Sequence, residues 1–145
     1  MKDVLSSVLS FLTDKGAEYG EIRVERTNKT LITTRDGLVE AVTSAKEMGA
    51  GIRALVNGAW GFSVSSSLEK EDLMKAAESA FRMARASSKI IREPVRLADV
   101  KAVEDRVGSL AKKDPSKVDI SEKLSNLLEI DRLSFKYDPR IKSVT

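Results

Sequence analysis

Apolar and polar positions alternate along this chain with two different periods, and the changes of period mark its elements. From Lys2 to Lys15, the residues Val4, Leu5, Val8, Leu9 and Leu12 recur three and four apart, with Phe11 at the edge of the stripe. That spacing predicts an amphipathic helix, ended at Gly16, where a left-handed residue can follow the last turn. Beyond Gly20 the period falls to two. Ile22, Val24, Thr30 and Ile32 share one parity, although Arg26-Thr27-Asn28-Lys29 is polar on both faces. This is a long strand, turned by Asp36-Gly37 into a second one, LVEAVTSAKE over 38–47. A short turn at Glu47-Met48-Gly49 is then expected. It leads into a hairpin over Gly49 to Ser65, centred on Asn57-Gly58, because Asn-Gly supplies the positive φ angles of a type I′ turn. Ala50, Ile52, Ala54 and Val56 point one way on the first arm. Trp60, Phe62 and Val64 are expected to do the same on the second and to meet the covering helices.

Ser66-Ser67-Leu68-Glu69 has the spacing of a capping box, with Ser66 as cap and Glu69 reaching back. It introduces a second helix to about Ser87, with a stripe of Leu73, Ala77, Ala80 and Ala84. The alanines permit close approach to a sheet, so this helix and the first are placed on one face, against Ile52, Trp60 and Phe62. From Lys89 to Lys117 periodicity is lost and Pro94 and Pro115 appear, which reads as a linker. Asp119-x-x-Glu122 caps a third helix carrying Ile120, Leu124, Leu127, Leu128, Ile130 and Leu133, stopped by Asp138-Pro139. Arg140 to Thr145 alternates like the start of a strand. The expected architecture is α+β: a four-stranded antiparallel β-meander with two helices packed on one face, followed by a linker and a third helix. The expected division is 1–88 for the sheet domain, 89–118 for the linker, and 119–145 for a helix and first strand leading into a further domain.

Composition narrows the chemistry more than the fold. The 145 residues are 41% hydrophobic and 32% charged, with 25 basic residues interleaved among 22 acidic ones for a net charge of +3. That is the balance of a mixed solvated surface rather than a phosphate-binding stripe, and nucleic-acid binding is not expected. No apolar run is long enough to span a membrane, and Met1-Lys2-Asp3 does not open a signal peptide; a cytoplasmic protein is expected. There is no cysteine and no histidine. Thiol and Ser-His-Asp catalysis are therefore excluded for this chain, as are the commonest zinc ligands. The acids are scattered among lysines and arginines, which disfavours an all-carboxylate magnesium site. Gly49-x-Gly51 lacks a third glycine and precedes a strand, so it does not form a phosphate loop.

Three motifs together carry a family resemblance. They are Arg35-Asp36-Gly37-Leu38-Val39-Glu40, the run Gly49-Ala50-Gly51-Ile52-Arg53-Ala54-Leu55-Val56, and Gly58-Ala59-Trp60-Gly61-Phe62. With Val103-Glu104-Asp105-Arg106, Lys113-Asp114-Pro115 and Asp138-Pro139-Arg140-Ile141, they resemble the amino-terminal domain of the TldD/PmbA family, and Trp-Gly-Phe is closer to the TldD branch. The resemblance implies a zinc-dependent peptidase as parent, with an older label as modulator of DNA gyrase. In that family a His-Glu-x-x-x-His motif in the carboxy-terminal domain holds the zinc. This chain has neither motif nor histidine, so no catalytic, cofactor or metal residue is assigned in it, and it is expected to be inactive alone and to be part of a longer protein. The implied role is a noncatalytic domain that contributes contacts in a homo- or heterodimer with a family-related subunit and a wall of a chamber for peptide substrates.

Two side chains are candidates for such contacts. Arg35 and Arg53 alternate with the apolar set, and a guanidinium suits carboxylate recognition, so both are assigned to interdomain or partner contact. The alternative is a stand-alone interaction module that binds an extended peptide at an exposed sheet edge.

Overall fold

A computed structural model describes residues 1–109 and 111–145; residue 110, within the expected linker, lies outside them. The elements in order are helix α1 (Lys2–Asp14), strands β1 (Tyr19–Arg35), β2 (Leu38–Val56) and β3 (Ala59–Ser65), helix α2 (Lys70–Ser87), a single 3₁₀ turn (Pro115–Lys117) and helix α3 (Ile120–Tyr137). The strands form one sheet in the order β1-β2-β3. Both connections are two-residue turns with positive φ throughout, at Asp36 (52°) and Gly37 (79°) and at Asn57 (46°) and Gly58 (74°). Such turns match the right-handed twist of the strands they join, which makes both pairs antiparallel hairpins.

The sheet is three-stranded, not the four-stranded meander expected. Residues 38–47 and 49–56 belong to one 19-residue strand, β2, that runs straight through Glu47-Met48-Gly49. Neither Gly49 nor Gly51 has the positive φ of a turn. Their lack of a side chain serves packing instead. A Cβ on Gly49 would lie 2.9 Å from the Ser65 carbonyl oxygen, and one on Gly51 would lie 3.2 Å from the Phe62 ring. The aromatic ring thus covers the bare backbone of the neighbouring strand.

The chain divides into two compact units, Met1–Arg26 with Glu47–Ala102, and Thr27–Lys46 with Val103–Thr145. In the first, Val8 and Leu12 of α1, Ala50, Ile52, Ala54 and Val56 of β2, and Leu73, Ala77, Ala80 and Ala84 of α2 form one buried cluster. Leu12, Ile52 and Leu73 are fully buried, each contributing about 1.5–3 kcal/mol by removal of its side chain from water. Both helices therefore lie on the β2 face that carries Ile52. Lys15, at the C-terminal end of α1, ties it to the middle of α2, pairing with Glu78 at 2.6 Å while its ammonium lies over the rings of Phe11 and Phe81.

Trp60, Phe62 and Val64 are not on that face. Val56 pairs with Ala59, Ala54 with Gly61 and Ile52 with Ser63, so the helix-facing positions of β3 are 59, 61 and 63. A two-residue turn opposes positions three apart, and the parity of the covered set changes across it. Ala59 and Gly61 are buried, whereas Phe62 and Val64 are 51% and 67% exposed. Close approach accounts for the choice: a Cβ on Gly61 would sit 2.0 Å from the Ala80 carbonyl oxygen of α2. Only glycine fits beneath the alanine stripe.

The capping box is also displaced. The N-cap of α2 is Glu69, with no side-chain cap bond, and Ser67 Oγ accepts the Glu69 amide at 3.1 Å. Beyond α2, the Val95 amide donates to the Gly58 carbonyl at 2.8 Å, so this irregular segment returns to the β2–β3 turn.

In the second unit, the Asp36-Gly37 turn is held from two sides. Asp131 of α3, 3% exposed, accepts the Gly37 amide at 3.1 Å. Asp36 accepts the Val144 amide at 2.9 Å and the Ser143 hydroxyl at 3.2 Å, and its own amide donates to the Val144 carbonyl. Residues 140–145 consequently form no strand, in contrast to the alternation read there; they lie as irregular chain bonded to a turn. Asp119 caps α3 by accepting the Ser121 amide. Glu122 pairs with Lys113 at 2.6 Å rather than completing a box.

Candidate functional site

The open face of the sheet in the first unit carries the most organised cluster of polar and aromatic side chains. On β2 this face is formed by Gly51, Arg53 and Leu55, opposite Val64, Phe62 and Trp60 of β3; it is open at Arg53, Phe62 and Val64, whereas Leu55 is buried. Arg53 donates to Glu21 Oε2 at 2.6 Å, and its guanidinium lies 4.8 Å from the centre of the Trp60 ring. Tyr19 meets Trp60 edge-to-face at 5.9 Å, and its hydroxyl donates to Glu21 at 3.3 Å. The Arg53 guanidinium, above all by its hydrogen bond, holds the Glu21 carboxyl below the usual glutamate range, against a smaller opposing effect of burial; Glu21 in turn raises Arg53. The pair is ionised throughout the neutral range.

What this arrangement can do follows from its parts. Its charged groups are a guanidinium and a carboxylate already paired with each other, which suits the cluster to polar contact rather than to proton transfer. Half-exposed Arg53 and the open faces of Phe62 and Val64 offer a planar cation beside apolar area, the combination enriched in protein contacts. Arg35 is placed differently. It sits at the end of β1 in the second unit and pairs with Glu40 across the β1–β2 hairpin at 2.8 Å. The two expected contact arginines therefore have separate surroundings. The partners of Arg53 were not found from sequence: Glu21 and Tyr19 lie on the odd parity of β1, opposite to Ile22 and Val24, and that outward parity was the available signal.

A metal does not fit the residues present. Among the described residues no group of three or more His, Cys, Asp or Glu is placed to hold one. Besides Glu21, the described acids whose titration is displaced are also drawn downward: Asp72 by Ser67, Asp114 by Ser116, Asp119 by Ser121, Glu129 by Arg132 and Asp138 by Arg140. Each of these carboxylates is engaged by a hydroxyl or guanidinium. Among the described residues, no helix is long and apolar enough to cross a membrane.

Fold and site together define an α+β domain with a polar and aromatic cluster on its sheet. Residues 20–84 match the family described as PmbA/TldA metallopeptidase domain 1. Over 128 residues the chain is 31% identical to Metalloprotease MJ0996 of Methanocaldococcus jannaschii, covering 88% of this chain and 28% of that protein. It is 30% identical over 121 residues to a metalloprotease of Methanothermobacter thermautotrophicus, covering 83% of this chain and 25% of the other. The chain belongs to the TldD/PmbA family and corresponds to its amino-terminal domain. It spans less than a third of the length of these relatives. The fold is shared with TldE from Thermococcus kodakarensis, at a TM-score of 0.66 and 18% identity over 94% of this chain and 30% of that one. It is shared also with TM0727 of Thermotoga maritima, described as a modulator of a DNA gyrase, at 0.68 and 18% over 99% of this chain and 31% of that one.

Proposed function

We propose that this chain is the noncatalytic amino-terminal domain of a TldD-like zinc metallopeptidase, contributing dimer contacts to a family-related subunit and part of the wall of the chamber that receives peptides. One observation carries the reading: the chain matches the first-domain region of proteins named as metalloproteases, yet among the described residues there is no donor set for a metal. Peptide hydrolysis then requires residues other than these. The open sheet face around Arg53, with Phe62 and Val64 exposed beside it, is the proposed contact surface; Arg35, already paired with Glu40, is a secondary one.

Two measurements test this. Purified chain, supplied with zinc, should cleave no unstructured peptide, and turnover that a chelator abolishes would overturn the noncatalytic assignment. In sedimentation equilibrium, the chain should associate with itself or with a family-related subunit, and Arg53→Glu combined with Phe62→Asp should weaken that association. Association unchanged by both substitutions would remove the sheet face from the interface.

A further inference from the structure

The second unit holds a cleft of about 990 Å³, lined by Asn28 to Ile32 of β1, by Ser44 to Lys46 of β2, and by the segment from Pro115 into α3. Its lining contains three lysines, Lys29, Lys46 and Lys123, and no acidic residue. In a chain with 22 acids interleaved among 25 basic residues, that segregation sets the cleft apart from the mixed surface. Among the described residues none of the three lysines is held in an ion pair. Lys123 acts at a distance on Asp119, whose carboxylate is already taken by Ser121.

The same cleft has apolar walls. Ile120, Lys123 and Leu127 are spaced three and four apart, so they line one face of α3, while Lys29 and Leu31 share a face of β1. Leu31 and Ile120 remain 52% and 44% exposed. Cation and aliphatic side chain therefore alternate on both walls. β1 is also an edge strand of the sheet, and its consecutive residues 28–32 front the cleft, so alternate main-chain N–H and C=O groups there have no partner strand.

We propose that this cleft binds an extended acidic peptide, with carboxylates meeting Lys29, Lys46 and Lys123 and intervening aliphatic side chains meeting Leu31, Ile120 and Leu127. Five residues of edge strand extend over about 16 Å, which matches four or five residues of an extended chain. The charge complementarity specifies an anionic occupant, and the aliphatic walls specify a peptide. A nucleic acid would require aromatic platforms for its bases, and none lines the cleft. The proposal goes beyond the metallopeptidase reading and does not rest on it, since it concerns the second unit's own surface.

The test is fluorescence anisotropy of the 145-residue chain with labelled hexapeptides of alternating Glu and Leu, Gln and Leu, or Lys and Leu, and with a labelled single-stranded oligonucleotide. The Glu-Leu peptide should bind best, and added salt should weaken it. Lys29→Gln, Lys46→Gln and Lys123→Gln together should weaken it about tenfold, the combined effect expected for three partly exposed ion pairs. A control triple, Lys70→Gln, Lys89→Gln and Lys101→Gln, should leave the affinity within about twofold, as expected for screened charges elsewhere on the surface. Lys123→Glu should shift preference toward the Lys-Leu peptide, which shows that the cleft, still folded, reads charge. Equal binding of the Glu-Leu and Gln-Leu peptides, equal effects of the two triples, or binding confined to the oligonucleotide would each overturn the proposal. Any of these would leave the metallopeptidase assignment standing, because that rests on the family match.

Discussion

Gly61→Ala is the most demanding test of how α2 meets the sheet. The added Cβ would lie 2.0 Å from the Ala80 carbonyl oxygen, 2.5 Å from the Ala84 amide nitrogen and 3.0 Å from the Ala80 carbonyl carbon. Carbon and oxygen in contact need a little over 3 Å, so helix and strand must separate by roughly 1 Å at this point. All three obstructing atoms are backbone, and no side-chain rotation relieves them. A radial gap of that size forfeits a quarter to a half of the dispersion well for the atoms facing it. Here those atoms belong to Ala77, Ala80, Phe81 and Ala84, all buried. Overpacking of this kind costs about 1–3 kcal/mol, and the rigid obstruction places Gly61→Ala at the upper end, about 3 kcal/mol. The gain from replacing a strand glycine, about 0.5–1 kcal/mol, offsets only part of a larger gross loss. Urea unfolding followed by Trp60 fluorescence, which reports the first unit, would give the free-energy change. Thermal unfolding should fall by roughly 10 °C. Gly108→Ala, where a Cβ meets nothing within 4 Å, is the control and should be silent. A Gly61→Ala variant within about 0.5 kcal/mol of wild type would refute the close approach of α2 to β3.

Three further outcomes follow from other parts of the chain. Ile52→Ala should cost about 2–5 kcal/mol and Phe62→Ser less than about 1 kcal/mol, because one lies under the helices and the other on the open face; the reverse order in urea titrations would reinstate Phe62 as core. Folding favours the ionised form of Glu21, since Arg53 lowers its folded value, so the pair stabilises above the ordinary glutamate range and loses that contribution as pH falls through the lowered value. Glu21→Gln should therefore flatten the acid limb of a stability-against-pH curve without altering its alkaline limb, and an unchanged acid limb would contradict the coupling. Asp131→Ala should leave the Gly37 amide without its acceptor, at about 1–3 kcal/mol, seen as faster hydrogen exchange at Gly37; exchange at the wild-type rate would show that the bond does not protect the turn.

The turns were legible because their chemistry is local. Asn57-Gly58 and Asp36-Gly37 each place a residue tolerant of positive φ before a glycine, and both form the two-residue hairpins read from them. Glu47-Met48-Gly49 was misleading for the complementary reason. A glycine there satisfies a close contact with the Ser65 carbonyl, which sequence does not distinguish from a turn. The face of β3 was misread by hydrophobicity. Trp60, Phe62 and Val64 are more apolar than Ala59, Gly61 and Ser63, but the small residues form the covered set because α2 lies too close for larger ones. Register settles the matter, since positions 56 and 59 pair across the turn. Ser66 and Glu69 have the spacing of a box, but Ser67 bonds the Glu69 amide and the helix begins one residue later, at Lys70.

The site was legible only in its cation. Arg53 is recognisable as an outward residue of an alternating strand, whereas its partner Glu21 lies 32 positions away and depends on the pairing of β1 with β2. That partner changes what Arg53 can do. A carboxylate arriving at this face must displace Glu21 or share the guanidinium with it, while the ring face of Trp60 already occupies one side of the planar group. On the proposed function, contact with a second subunit would draw on the apolar area at Phe62 and Val64, with Arg53 setting orientation. If so, Glu21→Gln and Arg53→Ala should act in opposite senses on association with a partner that presents a carboxylate. The first frees the guanidinium and strengthens binding; the second removes it and weakens binding. Equal losses from both would mean that the Glu21-Arg53 pair is recognised as a unit, and that the arginine is not a free receptor for an acid.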